Sequence, residues 1–194
     1  MLIKITRYYL TCQEDFGSNN IIPIKDPSGK VLALMDPMCY ASFALEGSGK
    51  LSTGATLNVT GTYLDCTPEI AKSLLYVATK FYRGKKSLVG LSMDATKYLA
   101  FSKVDAPYGL GNKGNKLIPF VSVAADQKIH KFGSQFFCQA LSGLMLPNGV
   151  IHNGILRVDD VGGSIKGELR LDWFVGKKRW FVKEIPDEVE MKKV

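Results

Sequence analysis

The chain has 194 residues, 46% apolar and 22% charged, with 25 Lys and Arg against 18 Asp and Glu for a formal net charge of +7. That composition excludes a chain dominated by disorder, and 19 Gly without a period of three exclude collagen. No run of about 18 apolar residues occurs, so no membrane-spanning helix is expected.

Residues 2–11 read as a strand, with Ile3 and Ile5 on one face and Thr6 and Tyr8 on the other. Lys4 and Arg7 interrupt this opening, so it lacks the apolar stretch of a signal peptide. Residues 12–30 are rich in turn formers, among them Asp26-Pro27-Ser28-Gly29. Short strands are predicted at 31–35, 41–45 and 56–63. Thr67-Pro68-Glu69 then opens the one clear helix, at about 68–84. Thr67 caps it, Pro68 suits its first position, and Gly84 stops it. Ile70, Leu74, Val77, Ala78 and Phe81 form its core stripe. Beyond residue 90 the pattern is short strands between Gly- and Pro-rich turns, at 97–103, 120–124, 135–139, 154–158, 170–175 and 180–185. Residues 186–194 are charged and read as a mobile tail. Many short strands with one helix imply a mainly β domain, a barrel or a sandwich.

The basic excess predicts an anionic partner, such as an acidic cell-wall polymer, a nucleic acid or an anionic membrane; solubility is the plain alternative. The basic residues are dispersed, without a basic arm or aromatic-interleaved stripe, so nucleic acid is not expected. Cys12, Cys39, Cys66 and Cys138 contain no CxxC, and only His130 and His152 are imidazoles, so no metal and no cofactor are expected. Free thiols are favoured over two disulfides, since no leader is visible. Asn58-Val59-Thr60 is a glycosylation sequon inside a predicted strand.

Gly109-Leu110-Gly111-Asn112-Lys113-Gly114 matches GxGxxG, but no strand precedes it and Pro119 forbids the helix a dinucleotide site needs. Asp159-Asp160-Val161-Gly162-Gly163 places carboxylates at a strand end before a permissive turn. Asp172 sits between Leu171 and Trp173, an acidic residue within an apolar strand. Either a salt bridge to Arg170 or Lys166, or a functional carboxyl, explains it.

Ala106-Pro107-Tyr108-Gly109-Leu110-Gly111, Ser122-Val123-Ala124-Ala125-Asp126, Asp160-Val161-Gly162-Gly163-Ser164-Ile165-Lys166-Gly167 and Leu171-Asp172 together resemble the three-aspartate (3D) domain. That domain is shared with the barrel of membrane-bound lytic transglycosylase A. The likeness spans residues 105–176, and Asp126, Asp160 and Asp172 are its three aspartates. Thr6-Arg7-Tyr8-Tyr9 is similar to the opening strand of family 45 endoglucanases and expansins. Glu168 is an extra residue against the family spacing, and a one-residue slip inside a strand would reverse the face of Asp172.

The resemblance implies a six-stranded double-psi β-barrel with loop insertions and one packed helix. Residues 1–194 then form a single domain, with 12–100 as its elaboration. It implies a monomeric lytic transglycosylase directed at the cell wall, of bacterial or phage origin. Such enzymes act on peptidoglycan glycan strands and leave 1,6-anhydro ends. Asp172 would be the acid/base and Asp160 would orient the site or stabilise charge. Asp126, Thr6, Tyr8, Tyr108, Gly162, Gly163 and Lys166 would line the substrate groove. A non-catalytic expansin-like binder and a glucan-type hydrolase are the alternatives.

Overall fold

The structure is a computed structural model that describes residues 1–194. Its first half contains strands β1 (Leu2–Tyr8), β2 (Thr11–Cys12), β3 (Ile22–Lys25) and β4 (Val31–Met35), helix α1 (Pro37–Glu46), then β5 (Ser48–Lys50) and β6 (Thr56–Asp65). Helix α2 (Pro68–Phe81) and β7 (Lys97–Val104) follow. The second half is all β: β8 (Ser122–Ala124), β9 (Gln135–Cys138), β10 (Ile155–Asp160), β11 (Arg170–Phe174) and β12 (Glu188–Lys193). The chain divides into two compact units, Met1–Tyr9 with Leu110–Val194, and Leu10–Gly109.

The first unit is a closed barrel in the order β1-β11-β8-β10-β9-β12. β1 pairs parallel with β11, and β8 parallel with β10; the other four pairings are antiparallel. Exchanging the first three strands (β1, β8, β9) with the last three (β10, β11, β12) reproduces the same cyclic order, the pseudo-twofold of a double-psi barrel. Alternation fills the interior: Ile3, Ile5, Val123, Phe136, Leu156, Val158, Leu171, Trp173, Val189 and Met191 all belong to one buried cluster.

The last strand departs from the sequence reading. Residues 188–193 are not a mobile tail but β12, which pairs with both β1 and β9. Only Val189 and Met191 are apolar, and both point inward while Glu188, Glu190, Lys192 and Lys193 stay exposed. Residues 180–185 form no strand. They follow a single 3-10 turn, and Val182 and Ile185 plug the barrel core as irregular chain. Arg7 fixes this stretch, donating to the Ile185 carbonyl and pairing with Asp187 at 2.7 Å.

The second unit has its own core, so residues 12–100 are more than loops and a helix laid on a barrel. A four-stranded sheet, β2-β5-β6-β7, and the β3–β4 hairpin accompany two helices, one more than expected. The extra one, α1, includes the residues read as a strand at 41–45. An apolar run this short fits either period, and the ends decide it. Asp36 accepts from the Met38 amide at 2.8 Å, Pro37 occupies the first turn, and Gly47 ends the helix at φ +76°. In α2, Thr67 caps as expected and Ile70, Leu74, Val77 and Ala78 are buried, but Phe81 is exposed. The Gly84 amide donates to the Ala78 carbonyl at 2.9 Å and closes the helix.

The two ends of this unit touch: a Cβ placed on Gly109 would lie 3.6 Å from Leu10 Cδ1. All four cysteines are free.

Candidate active site on the outer face of the barrel

With Ile3, Ile5, Leu171 and Trp173 committed to the interior, alternation leaves Lys4, Thr6 and Tyr8 of β1 and Arg170, Asp172 and Phe174 of β11 on the outer face. The parallel register places Thr6 opposite Asp172 and Tyr8 opposite Phe174. On its other side Asp172 faces Ala124 of β8, and Ala124 in turn faces Asp160 of β10. One row therefore crosses four strands: Thr6, Asp172, Ala124, Asp160. Adjacent strands lie about 4.8 Å apart, so the Cα atoms of the two aspartates are separated by roughly 10 Å, with only a methyl group between them.

Asp160 reaches this row through a defect. By simple alternation after Leu156 and Val158 it would point into the core. The register shifts between Val158 and Asp160, which makes Asp159 the extra residue of a β-bulge and returns Asp160 to the outer face. Asp159 is itself buried and well satisfied. Arg157 donates to it through Nε at 2.7 Å and Nη2 at 3.0 Å, and Ser122 Oγ donates at 2.6 Å. The Ser122 of the Ser-x-Ala-x-Asp motif thus pins the bulge, while its Ala124 keeps the gap open.

Both carboxyl oxygens of Asp160 are occupied. Oδ1 accepts from the backbone amides of Asn112 (2.9 Å) and Val161 (2.8 Å), and Oδ2 accepts from the Tyr8 hydroxyl at 3.1 Å. Burial pushes its pKa above the ordinary carboxylate range, these three donors pull it back, and the charge of Asp159 adds to the rise. Asp172 contrasts with it. Its Oδ1 is buried without a well-formed hydrogen bond; the facing Thr6 hydroxyl is near enough to favour the carboxylate but is not aligned to donate to it. Burial raises the Asp172 pKa; Thr6 and Arg170 favour the charged form, and Asp160 opposes it. Tyr8 and Phe174 pack with ring centroids 5.1 Å apart, and Phe174 is buried, so an aromatic pair walls one side of the row.

Asp126 does not join this row. Its Oδ2 accepts from the Gly167 amide at 3.1 Å and its Oδ1 from the Lys128 amide at 3.0 Å, which, with nearby Lys166, hold it below the usual range. It ties one turn to the loop that leads into β11. His130 grips the same loop, with Nε2 3.0 Å from the Glu168 carbonyl. Glu168 lies in the turn before β11, so the extra residue is absorbed there and the outward direction of Asp172 is kept. Gly162 is constrained, since a Cβ there would fall 2.4 Å from Ile165 Cγ1, whereas Gly163 has open space. Lys166 is exposed, and neither it nor Arg170 is in a salt bridge with Asp172. Tyr108 belongs to the second unit.

Four contributors escaped the sequence reading: Ala124, the Asp159 bulge, Gly111 and Asn112. A Cβ on Gly111 would lie 2.7 Å from the Asp159 carbonyl and 3.1 Å from Asp160 Cγ, so only glycine lets the chain pass over the carboxyl and present the Asn112 amide. The GxG spacing was the available signal. It marks a close approach to a carboxylate rather than to a phosphate.

The closed barrel carries the bulged carboxylate and the outward Asp172, and residues 121–183 match the family model described as the 3D domain. The chain shares the fold of a lytic transglycosylase. It superposes on Escherichia coli MltA with bound chitohexaose with a TM-score of 0.53 at 16% identity, covering 90% of this chain and 65% of that one. Matches of lower score include LtgG, the lytic transglycosylase of Burkholderia pseudomallei (TM-score 0.42, 18% identity, 91% and 65% covered). MltA of Neisseria gonorrhoeae is another (TM-score 0.43, 21% identity, 76% and 42% covered). The chain therefore spans just under two thirds of the length of the Escherichia coli protein. No curated protein sequence matches.

Proposed function

We propose that this chain is a peptidoglycan lytic transglycosylase, an enzyme of the cell envelope that cuts the β-1,4 bond between N-acetylmuramic acid and N-acetylglucosamine and leaves 1,6-anhydro ends. The observation that carries this reading is the inequality of the two carboxyls. A conventional glycosidase needs one carboxyl to protonate the leaving oxygen and a second to attack or to activate water. Asp160 is the only second carboxyl in the row, and both its oxygens are engaged by Tyr8, Asn112 and Val161. Burial raises the pKa of both carboxyls, but only Asp172 keeps a buried oxygen on which no donor is engaged, and it is therefore the group assigned to carry the proton.

A single carrier suffices when the nucleophile belongs to the substrate. Asp172 first donates its proton to the glycosidic oxygen as the bond to the muramic anomeric carbon breaks. The resulting carboxylate then removes the proton from the muramic 6-hydroxyl as that oxygen closes on the same carbon. Asp160 supplies negative charge about two strands away, which stabilises the oxocarbenium-like transition state. Asp126 and His130 position the loop ahead of β11, and Gly162 and Gly163 shape the turn after Asp160.

The fold likeness to an MltA that binds chitohexaose supports a glycan as substrate. Mass spectrometry of products from purified murein tests the proposal. Anhydro-muramic ends support it; reducing ends would assign a hydrolase, and no products a binder of the expansin type.

A further inference from the structure

The +7 charge is not spread over the chain. The barrel unit holds 15 basic and 9 acidic residues, a net +6, while the other unit holds 10 and 9, a net +1. Part of that excess stands beside the candidate acid. Lys4 and Arg170 are cross-strand partners on the same outer face, two residues before Thr6 and Asp172. At about 3.3 Å per residue their Cα atoms lie roughly 7 Å from those of the Thr6–Asp172 pair.

Two cations opposite each other repel, and both lack the ion pairs that Arg7 and Arg157 make with Asp187 and Asp159. Glu188 of β12 faces Lys4 from the other side without closing a salt bridge. Arg170 Nε is buried and has no acceptor. A guanidinium N–H left in that state is destabilising, and a carboxylate arriving from solvent would satisfy it with a charge-assisted bond while Lys4 adds a second charge.

We propose that Lys4 and Arg170 form a carboxylate subsite beside Asp172 that binds the acidic substituents of the glycan. This rests on the glycan-cleaving reading and adds a preference to it. The site selects chains bearing carboxylates next to the bond cut over neutral chitin-like chains. Two sources share that chemistry, the lactyl group of bare muramic acid and the carboxylates of a stem peptide.

The test is equilibrium binding to the full chain carrying Asp172→Asn, so that ligand is not consumed. Three ligands are compared: a neutral chitin hexamer, a murein glycan stripped of peptides, and a peptide-bearing murein glycan. At low salt at least one carboxylate-bearing ligand should bind about tenfold tighter than the hexamer, which corresponds to about 1.4 kcal/mol. Which one does so identifies the source. The advantage should shrink in about 0.5 M NaCl. Lys4→Gln with Arg170→Gln should remove it and leave hexamer affinity unchanged, while Arg170→Lys alone should keep part of it. Should the double variant not fold, Lys4→Gln alone, at an exposed position, decides in its place: loss of part of the advantage supports the subsite and full retention overturns it. Equal, salt-insensitive affinity for all three ligands overturns the subsite and leaves the glycan reading standing, as does uniform weakening by the double variant. Binding of none of the three overturns both.

Discussion

Asp172→Asn should make the protein more stable and far less active, and the size of each effect follows from the same atoms. In the native protein Asp172 Oδ1 and Thr6 Oγ1 are both buried and both lack a well-formed hydrogen bond. Asparagine keeps the shape, cannot ionise, and brings an amide that can donate to Thr6 Oγ1. Removing a buried carboxylate whose charge is only partly compensated by Thr6 and Arg170 is worth about 1–3 kcal/mol at neutral pH, at roughly 2–4 °C of Tm per kcal/mol for a chain of this size. Loss of the proton carrier should lower murein cleavage by about 10²–10⁴-fold.

The sign with pH is also fixed. Because folding raises the Asp172 pKa above its ordinary value of 3.8, the wild-type residue is harmless when protonated in both states. It becomes destabilising as pH rises above that ordinary value, and the cost is complete once pH has passed the folded-state pKa. The stability gap in favour of the variant should therefore be small near pH 3 and widen towards neutrality. Denaturant unfolding of both proteins across that range measures it, beside an assay of anhydro products. A wild type that is the more stable at pH 7, or a gap that does not change with pH, would refute the reasoning.

Tyr8→Phe removes the donor on Asp160 Oδ2 but keeps the contact with Phe174. It should raise the Asp160 pKa, shift the acidic limb of the pH–rate profile upward and slow cleavage by about 10–100-fold; an unmoved limb would count against a role for Asp160 charge. Gly111→Ala puts a methyl 2.7 Å from the Asp159 carbonyl, and the displaced turn withdraws the Asn112 amide. A loss of about 1–3 kcal/mol by chemical unfolding, with activity falling further than stability explains, is expected. His152 accepts from the Gly154 amide through Nδ1 at 2.7 Å, so Nε2 carries the proton donated to the Phe120 carbonyl at 2.6 Å. Burial lowers its pKa, so stability drawn from it is present above pH 6.5 and is lost as pH falls through the lower folded-state value. An NMR titration should show His152 still neutral, in the Nε2–H tautomer, just below pH 6.5.

Much of this site lay open in the sequence, for definite reasons. The period of two put Thr6 and Tyr8 opposite Ile3 and Ile5, and the parallel register brings Thr6 to Asp172 across the barrel. Capping chemistry placed the start of α2 on Thr67. What stayed hidden depended on partners distant in sequence. No local signal reveals that Asp159 is a bulged residue, because the shift exists only relative to β8. Alternation alone would have sent Asp160 into the core. β12 has just two apolar residues among charges, a pattern that becomes a strand only when β1 and β9 offer edges on both sides. The Asp36 cap and Gly47 stop of α1 were visible, but the apolar run between them hid the helix period.

The contact between Leu10 and Gly109 bears on how the barrel closes. β1 must find β11 and β12 across more than 160 residues, and the 100 residues from Leu10 to Gly109 interrupt it at once. Chain-closure entropy grows only with the logarithm of loop length, so the cost of this interruption depends on how much chain still separates β1 from β11. With the two ends of that unit held together, the loop between Thr6 and its partner Asp172 shortens from about 165 residues to about 65, which lowers the closure cost by about 0.8 kcal/mol. The inserted unit thus costs the barrel far less chain entropy than its length suggests, provided that its own ends are already joined when β1 meets β11.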